Sequence, residues 1–344
     1  MLVDENIGST PGSPGTADAA GLAIEIRRAE ADGLDGVWSV ETSRDPFLPL
    51  LLAAQSSSRL RLGTGIAVAF ARNPMTLAVT ANDLQEYSGG RFTLGLGSQI
   101  KAHVERRFSM PWSHPAARMT EFVAALKAIW SAWDDGTRLD FRGDFYQHTL
   151  MTPMFTPTRH DHGPPPVLVA AVGPQMTRTA ATVADGLLVH AFTTERYLRE
   201  VTMPIVADGL RTSGRDRAEF TVSFPGLLAT AHDEDGLQCA VAAVRKQLAF
   251  YGSTPAYRGV LDLHGWGALA DELHALSVRR EWDVMATLVD DEVLNAFAAV
   301  GAPEVAAAQL RARFGGLIDR YTLYTPYDLD PAARRAVVTA LHAT

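Results

Sequence analysis

Residues 61–74 read Arg61-Leu62-Gly63-Thr64-Gly65-Ile66-Ala67-Val68-Ala69-Phe70-Ala71-Arg72-Asn73-Pro74. The apolar run Leu60 to Val68 predicts a buried strand, and Pro74 opens a helix at a position where its missing N–H costs nothing. Gly89-Gly90 closes that helix, and Arg91 to Gly97 follows as the next strand. A strand, a helix and a second strand in this order make the repeating unit of a parallel sheet.

The same rhythm extends in both directions. Upstream, an opening strand around Leu2 and Val3 precedes a helix over Ala19 to Ala31, a strand over Gly36 to Val40 and a helix over Phe47 to Gln55. Downstream, Ala116 to Trp133 places Met119, Phe122, Val123, Leu126, Ile129, Trp130 and Trp133 along one helix face. An irregular stretch, Leu139 to Thr158, suggests a hairpin turning at Gly143. Strands are expected at Val167 to Val172, Gly186 to His190, Phe220 to Thr230 and Tyr321 to Thr325. Helices are expected at Gln175 to Ala184, Tyr197 to Thr212, Asp233 to Phe250, Leu269 to Phe297 and Ala302 to Phe314. About eight strand–helix units result, the count of a closed (β/α)8 TIM barrel of the α/β class. No Pro/Gly/Ser linker isolates the extra helices at about 255–300, so residues 1–344 are read as one domain with a helical insertion there.

Composition narrows the function. The 344 residues are 47% hydrophobic and carry a formal net charge of -8, without the long basic groove of a nucleic-acid binder. No apolar stretch approaches the roughly 20 residues that span a bilayer. Met1 to Gly15 lacks a basic region followed by an apolar run, so no secretory leader is expected and the chain is placed in the cytoplasm. Its one cysteine, Cys239, excludes an internal disulfide and multi-cysteine metal sites, and reads as a packed thiol.

Several motifs fail. Gly95-Leu96-Gly97 begins a dinucleotide fingerprint, but Ile100 stands where its third glycine belongs. There is no Walker A sequence, G-x-S-x-G elbow or H-E-x-x-H. His160-Asp161-His162 has polar spacing but no third ligand in view, so it is read as a loop and no metal is expected.

Chemistry in a parallel barrel sits at the C-terminal ends of the strands. Those ends here are Glu41-Thr42, Gly65-Ile66-Ala67, Gly97-Ser98-Gln99, Val172-Gly173-Pro174 and His190-Ala191-Phe192. Small residues recur where a flat ring could approach the backbone. Gly173-Pro174 also opens the helix that runs from Gln175 to Ala184, and free N–H groups at a helix start bind phosphate. The mixture suits a planar cofactor with a phosphate.

The run Arg61 to Pro74 resembles the third strand and following loop of luciferase-like monooxygenases. Ser88-Gly89-Gly90-Arg91-Phe92-Thr93-Leu94-Gly95-Leu96-Gly97-Ser98 is similar to that family's fourth strand, Pro165 to Ala171 to its fifth and Ala184-Asp185-Gly186-Leu187 to its sixth. Val300-Gly301-Ala302-Pro303-Glu304-Val305 is similar to a late helix start. Within the family, the likeness is to the branch that uses the deazaflavin coenzyme F420. The resemblance implies a non-proline cis peptide at Gly65-Ile66, a bulge against the cofactor ring. It places Gly65, Ile66 and Ala67 behind the ring, Gly97, Ser98 and Gln99 at its polar edge, and Val172, Gly173, Pro174 and Gln175 at the anion end.

Glu41, ending strand two inside the mouth, is the first acid–base candidate; a buried carboxyl there could have its pKa raised and shuttle a proton. The alternative is a structural ion pair of Glu41 with Arg44 or Arg72. His190, ending strand six, is the second candidate. The family's sugar-phosphate dehydrogenases carry an Asp-His pair after strand two and a Glu after strand four. This chain has Glu41-Thr42 and Ile100 there, so a sugar phosphate is not the expected substrate. His103 to His114 is expected as part of a lid. The leading expectation is hydride transfer between F420 and a small organic substrate. The alternatives are an FMN-dependent monooxygenase and a non-catalytic flavin-binding barrel. Family barrels pair through early helices, and the face Leu50, Leu51, Leu52 and Ala54 is compatible with a homodimer.

Overall fold

The computed structural model describes residues 1–8 and 18–343. The expectation about a leader rests on Met1 to Gly15, of which 9–15 lie outside the described residues. Eight parallel strands close into a barrel: β1 (Leu2–Ile7), β2 (Gly36–Ser39), β3 (Arg61–Thr64), β4 (Phe92–Gly97), β5 (Val167–Ala171), β6 (Gly186–Val189), β7 (Thr221–Thr230) and β8 (Arg320–Tyr324). Each strand pairs with the next, β8 pairs with β1, and the register runs from Leu2 opposite Arg320 to Thr221 opposite Gly186. The expected (β/α)8 barrel is the fold.

The helices lie outside, where their apolar stripes meet the outward faces of the strands. Pro115–Asp135 buries every residue of its expected face, from Met119 to Trp133. Capping sets the starts: Asp18 accepts from Gly21 N and Asn73 from Thr76 N, ahead of Ala19–Ala31 and Pro74–Tyr87.

Inside the barrel, the N-terminal end is sealed by polar pairing. Asp4, fully buried, accepts from Arg320 Nε at 2.8 Å and from Trp38 Nε1 at 2.9 Å. Paired and hydrogen-bonded, the two charges avoid the cost of isolated burial. Trp38 then lies flat over Gly63, where an added Cβ would come within 2.3 Å of the indole ring.

Four local readings are corrected. The single strand expected over Leu60 to Val68 breaks after Thr64 and resumes at Ala67–Val68, because the chain bulges at Gly65-Ile66. The helix expected over Leu269 to Phe297 is three: Gly267–Arg279, Trp282–Thr287 and Asp291–Phe297. Arg280 takes a left-handed conformation after the first, and Asp290 caps the third through Val293 N. Cys239 is exposed, on the outer side of Glu234–Gly252. The helix Pro331–His342 was not anticipated; Arg334 pins it between Glu5, at 2.8 Å, and Asp32. The hairpin is present, Phe141–Arg142 against Gln147–His148.

The inserted helices share a second apolar cluster with the upper ends of β7 and β8, through Leu227, Ala229 and Tyr324. They therefore roof the β6–β8 side of the barrel mouth.

Candidate active site at the barrel mouth

A cavity of about 680 Å³ opens at the C-terminal ends of the strands, within the range of sites that hold cofactors and small ligands. Its two sides are built differently.

On the β2–β4 side, the wall is mostly backbone. The peptide bond Gly65-Ile66 is cis, as the resemblance implied. Gly65 N donates to Ser39 O at 2.8 Å, and Glu41 N donates to Ile66 O at 3.2 Å, so the bulge is held against β2. Thr64 and Gly95 bond reciprocally: Thr64 Oγ1 donates to Gly95 O at 2.7 Å and accepts from Gly95 N at 2.8 Å. Neither Gly95 nor Gly97 has room for a side chain. A Cβ on Gly95 would lie 1.8 Å from Thr64 O, and one on Gly97 would lie 2.5 Å from Ile66 Cδ1. The Ile66 side chain thus lies over Gly97 as part of a flat apolar floor.

Glu41 braces the same wall. Its Oε2 accepts from Val68 N at 2.7 Å and from Arg72 Nη1 at 2.6 Å, while the side chain is 7% exposed. The ion pair expected as an alternative is present, with Arg72 as partner. Oε1 accepts no hydrogen bond among the described residues. Arg107 reaches across from the lid to donate to Thr42 O. That lid contains the helix Lys101–Arg106, and Trp112 packs edge-on against Phe70 with centroids 5.7 Å apart.

On the β6–β8 side, the wall is aromatic. His190 sits at the end of β6, between Tyr257 and Tyr251, with ring centroids 4.3 and 4.9 Å away. Its Nδ1 accepts from Phe192 N at 3.0 Å, which puts the proton of the neutral ring on Nε2. Burial lowers its pKa to about 4, so the ring is neutral at physiological pH. Tyr251 and Tyr324 bond hydroxyl to hydroxyl at 2.9 Å. Burial raises the pKa of both, and pushes that of Tyr257 to about 12, so the three phenols keep their protons.

Of the residues singled out in the sequence, Glu41, Gly65, Ile66, Gly97, Ser98, Gln99, Val172, Gly173 and His190 all line this cavity. Ala67 does not; it is buried behind the wall, paired with Leu96. Pro174 and Gln175 face a separate depression of about 540 Å³ on the outer surface, beside Thr120 and Arg178. Gly173 joins the two regions at the start of helix Pro174–Val183, where Gln175 and Met176 offer N–H groups with no intrahelical acceptor. Sequence reading missed Trp38, Tyr251, Tyr257 and Tyr324. No motif marks them, and only the closure of the barrel brings them together. Among the described residues no cluster of three metal-ligating side chains exists, and no helix is long and apolar enough to cross a membrane.

A closed barrel with its cavity beside a bulge in the third strand defines a class of cofactor-binding barrel. The sequence pattern of the luciferase-like monooxygenase family matches residues 5–320, and the chain belongs to that family. It is 57% identical over 304 residues to an uncharacterised protein of Mycobacterium tuberculosis, covering 88% of each chain. It is 28% identical over 302 residues to the 5,10-methylenetetrahydromethanopterin reductase of Methanolobus tindarius, covering 87% of this chain and 86% of the other. The solved coenzyme F420 dependent tetrahydromethanopterin reductase of Methanopyrus kandleri shares the fold, with a TM-score of 0.80, 22% identity and 99% of each chain covered. Flavin monooxygenases share it as well.

Proposed function

We propose that this chain is an oxidoreductase that passes hydride between the deazaflavin coenzyme F420 and a small organic substrate. The observation that carries the reading is the flat floor of Gly65, Ile66 and Gly97 beneath one side of the cavity, with a helix start at Gly173 beyond its rim. The residues fit such a group: the floor offers an apolar surface free of charge, Ser98 and Gln99 supply polar atoms at one edge, and the free N–H at the helix start on Met176, which lines the cavity, suits an anion. When bound, the deazaflavin supplies a carbon that accepts or releases hydride. A relative from Mycobacterium tuberculosis, 26% identical over 294 residues and named a putative coenzyme F420-dependent oxidoreductase, supports this choice over FMN.

In this reading Glu41 has two tasks. Through Oε2 it fixes the strand that carries the floor, and through Oε1 it can hold or take a proton at the cavity wall. His190 acts as a neutral donor from Nε2, since Nδ1 is already engaged. The substrate approaches from the aromatic side. The chain works in the cytoplasm and as a homodimer. Leu50 and Ala54 are buried in their own core, so the contact would use neighbouring exposed groups such as Leu48 and Val79.

The test is spectroscopic. Protein loaded with F420 is mixed with ketones, alcohols and activated alkenes, and the visible absorbance of the coenzyme is followed. The reading predicts a change of redox state with at least one class. Tight FMN binding, with peroxide formed when reduced FMN meets oxygen, contradicts it and favours the monooxygenase. Binding of a cofactor without any turnover across a wide panel favours the non-catalytic barrel.

A further inference from the structure

The two cavity walls differ in charge. The ionisable carboxylate and ammonium groups that line the cavity, Glu41 and Lys101, both stand on the β2–β4 side. The opposite side presents His190, Tyr251, Tyr257 and Tyr324 among Ala256, Pro225 and the small hydroxyl residues Ser223 and Thr322, and no charged side chain. A substrate facing it loses its water without gaining a counter-ion, so a charged group placed there would stay unpaired.

That wall still offers protons. Two hydroxyls hold two protons, and the bond between Tyr251 and Tyr324 uses one of them. The other proton of the pair is left for an acceptor in the cavity, which both residues line. Tyr324 has little freedom to turn elsewhere, being only 4% exposed. A second donor stands on the same wall at His190 Nε2, for which the described residues provide no acceptor.

We propose that the hydroxyl pair of Tyr251 and Tyr324, with its one free proton, and His190 Nε2–H form a binding site for one uncharged substrate oxygen, so that the substrate is a neutral carbonyl or hydroxyl compound with an apolar or aromatic body. This rests on the oxidoreductase reading for its function, but as a binding site it stands or falls by itself. One hydroxyl of the pair and His190 touch the substrate, and the other hydroxyl orients the first.

The probes are acetophenone, 1-phenylethanol, ethylbenzene and 4-acetylbenzoate, titrated against the whole chain by calorimetry with and without F420. Acetophenone and 1-phenylethanol should bind, and 4-acetylbenzoate should bind at least about tenfold more weakly than acetophenone. Of Tyr324→Phe and Tyr251→Phe, one should weaken acetophenone by about tenfold and the other by less, and both should leave ethylbenzene, which has no oxygen, within about twofold. Thermal melts confirm that each variant is folded; if Tyr324→Phe is not, Tyr251→Phe and the 4-acetylbenzoate comparison carry the test. Equal binding of 4-acetylbenzoate, or equal weakening of acetophenone and ethylbenzene, overturns the site. Failure of wild-type protein to bind F420 contradicts the cofactor reading alone, because the probe titrations without coenzyme are unaffected by it.

Discussion

The cavity has a wall made of backbone and a wall made of rings, and they obey different rules. The β2–β4 wall is shaped by what is missing: at Gly63, Gly95 and Gly97 a single Cβ would collide with Trp38, the Thr64 carbonyl or Ile66. The β6–β8 wall is shaped by what is present, four bulky side chains from four separate segments that meet over the mouth. A shape set by absent atoms tolerates almost no substitution. A shape set by side chains can be edited one group at a time, which is how a family can keep one cofactor surface and change substrates.

The sharpest way to break this contrast is Gly95→Ala. The added methyl meets a backbone carbonyl at 1.8 Å and Leu188 at 2.7 Å, so strands β3 and β4 must part. The expected cost is about 3 kcal/mol or more, read by urea denaturation, and coenzyme binding should be lost with it. A variant with unchanged stability would show that the wall yields more readily than its geometry implies.

Next in size is the pH dependence contributed by His190. Its folded pKa is depressed to about 4, below the value near 6.5 of an unfolded histidine. Between these values the unfolded chain binds a proton that the folded chain refuses. The stabilisation is therefore fully present above about pH 6.5 and is lost as pH falls towards 4, by at most about 3 kcal/mol. Comparing wild type with His190→Gln by denaturation at several pH values isolates the effect; a difference that does not vary with pH would contradict it.

Glu41→Gln is expected to cost about 2 kcal/mol, because Arg72 loses the closer of its two charged partners and keeps only Asp45 at 3.5 Å, while the amide can still accept from Val68 N. If Glu41 also moves a proton, the rate of hydride transfer should fall by about a hundredfold or more with coenzyme affinity nearly unchanged. A loss of affinity with an unchanged rate would assign it a bracing role only. The smallest effect is expected from Gly97→Ala. Its clash is with the end of a flexible side chain, so stability should fall by about 1 kcal/mol. Ile66 must then turn off Gly97, and coenzyme binding should weaken by about tenfold; a change in substrate affinity alone would put the ring on the other wall.

The contrast also explains what could be read from the sequence. The backbone wall was legible through the family resemblance, whose motifs are continuous in the chain: Arg61 to Pro74 carries the bulge, and Ser88 to Ser98 carries the glycines that face it. Periodicity supplied the strand and helix order, and hence the barrel. The aromatic wall was not legible. Tyr251 ends a helix, Tyr257 lies in a short turn within the insertion, and Tyr324 ends the last strand. Their partnership with His190 exists only once β6, β7 and β8 are neighbours. Asp4 and Arg320 were missed for the same reason, since 316 positions separate them. The outward placement of Pro174 and Gln175 has a simpler cause: proline begins the helix, and the chain turns away from the mouth at Gly173.

The central claim is that the floor of Gly65, Ile66 and Gly97 holds a deazaflavin. The most direct measurement is a parallel titration of the purified chain with F420 and with FMN, following coenzyme fluorescence. The account predicts F420 binding about a hundredfold tighter than FMN, with that preference reduced in Gly97→Ala. Tighter binding of FMN, or F420 binding that is indifferent to Gly97→Ala, would contradict it.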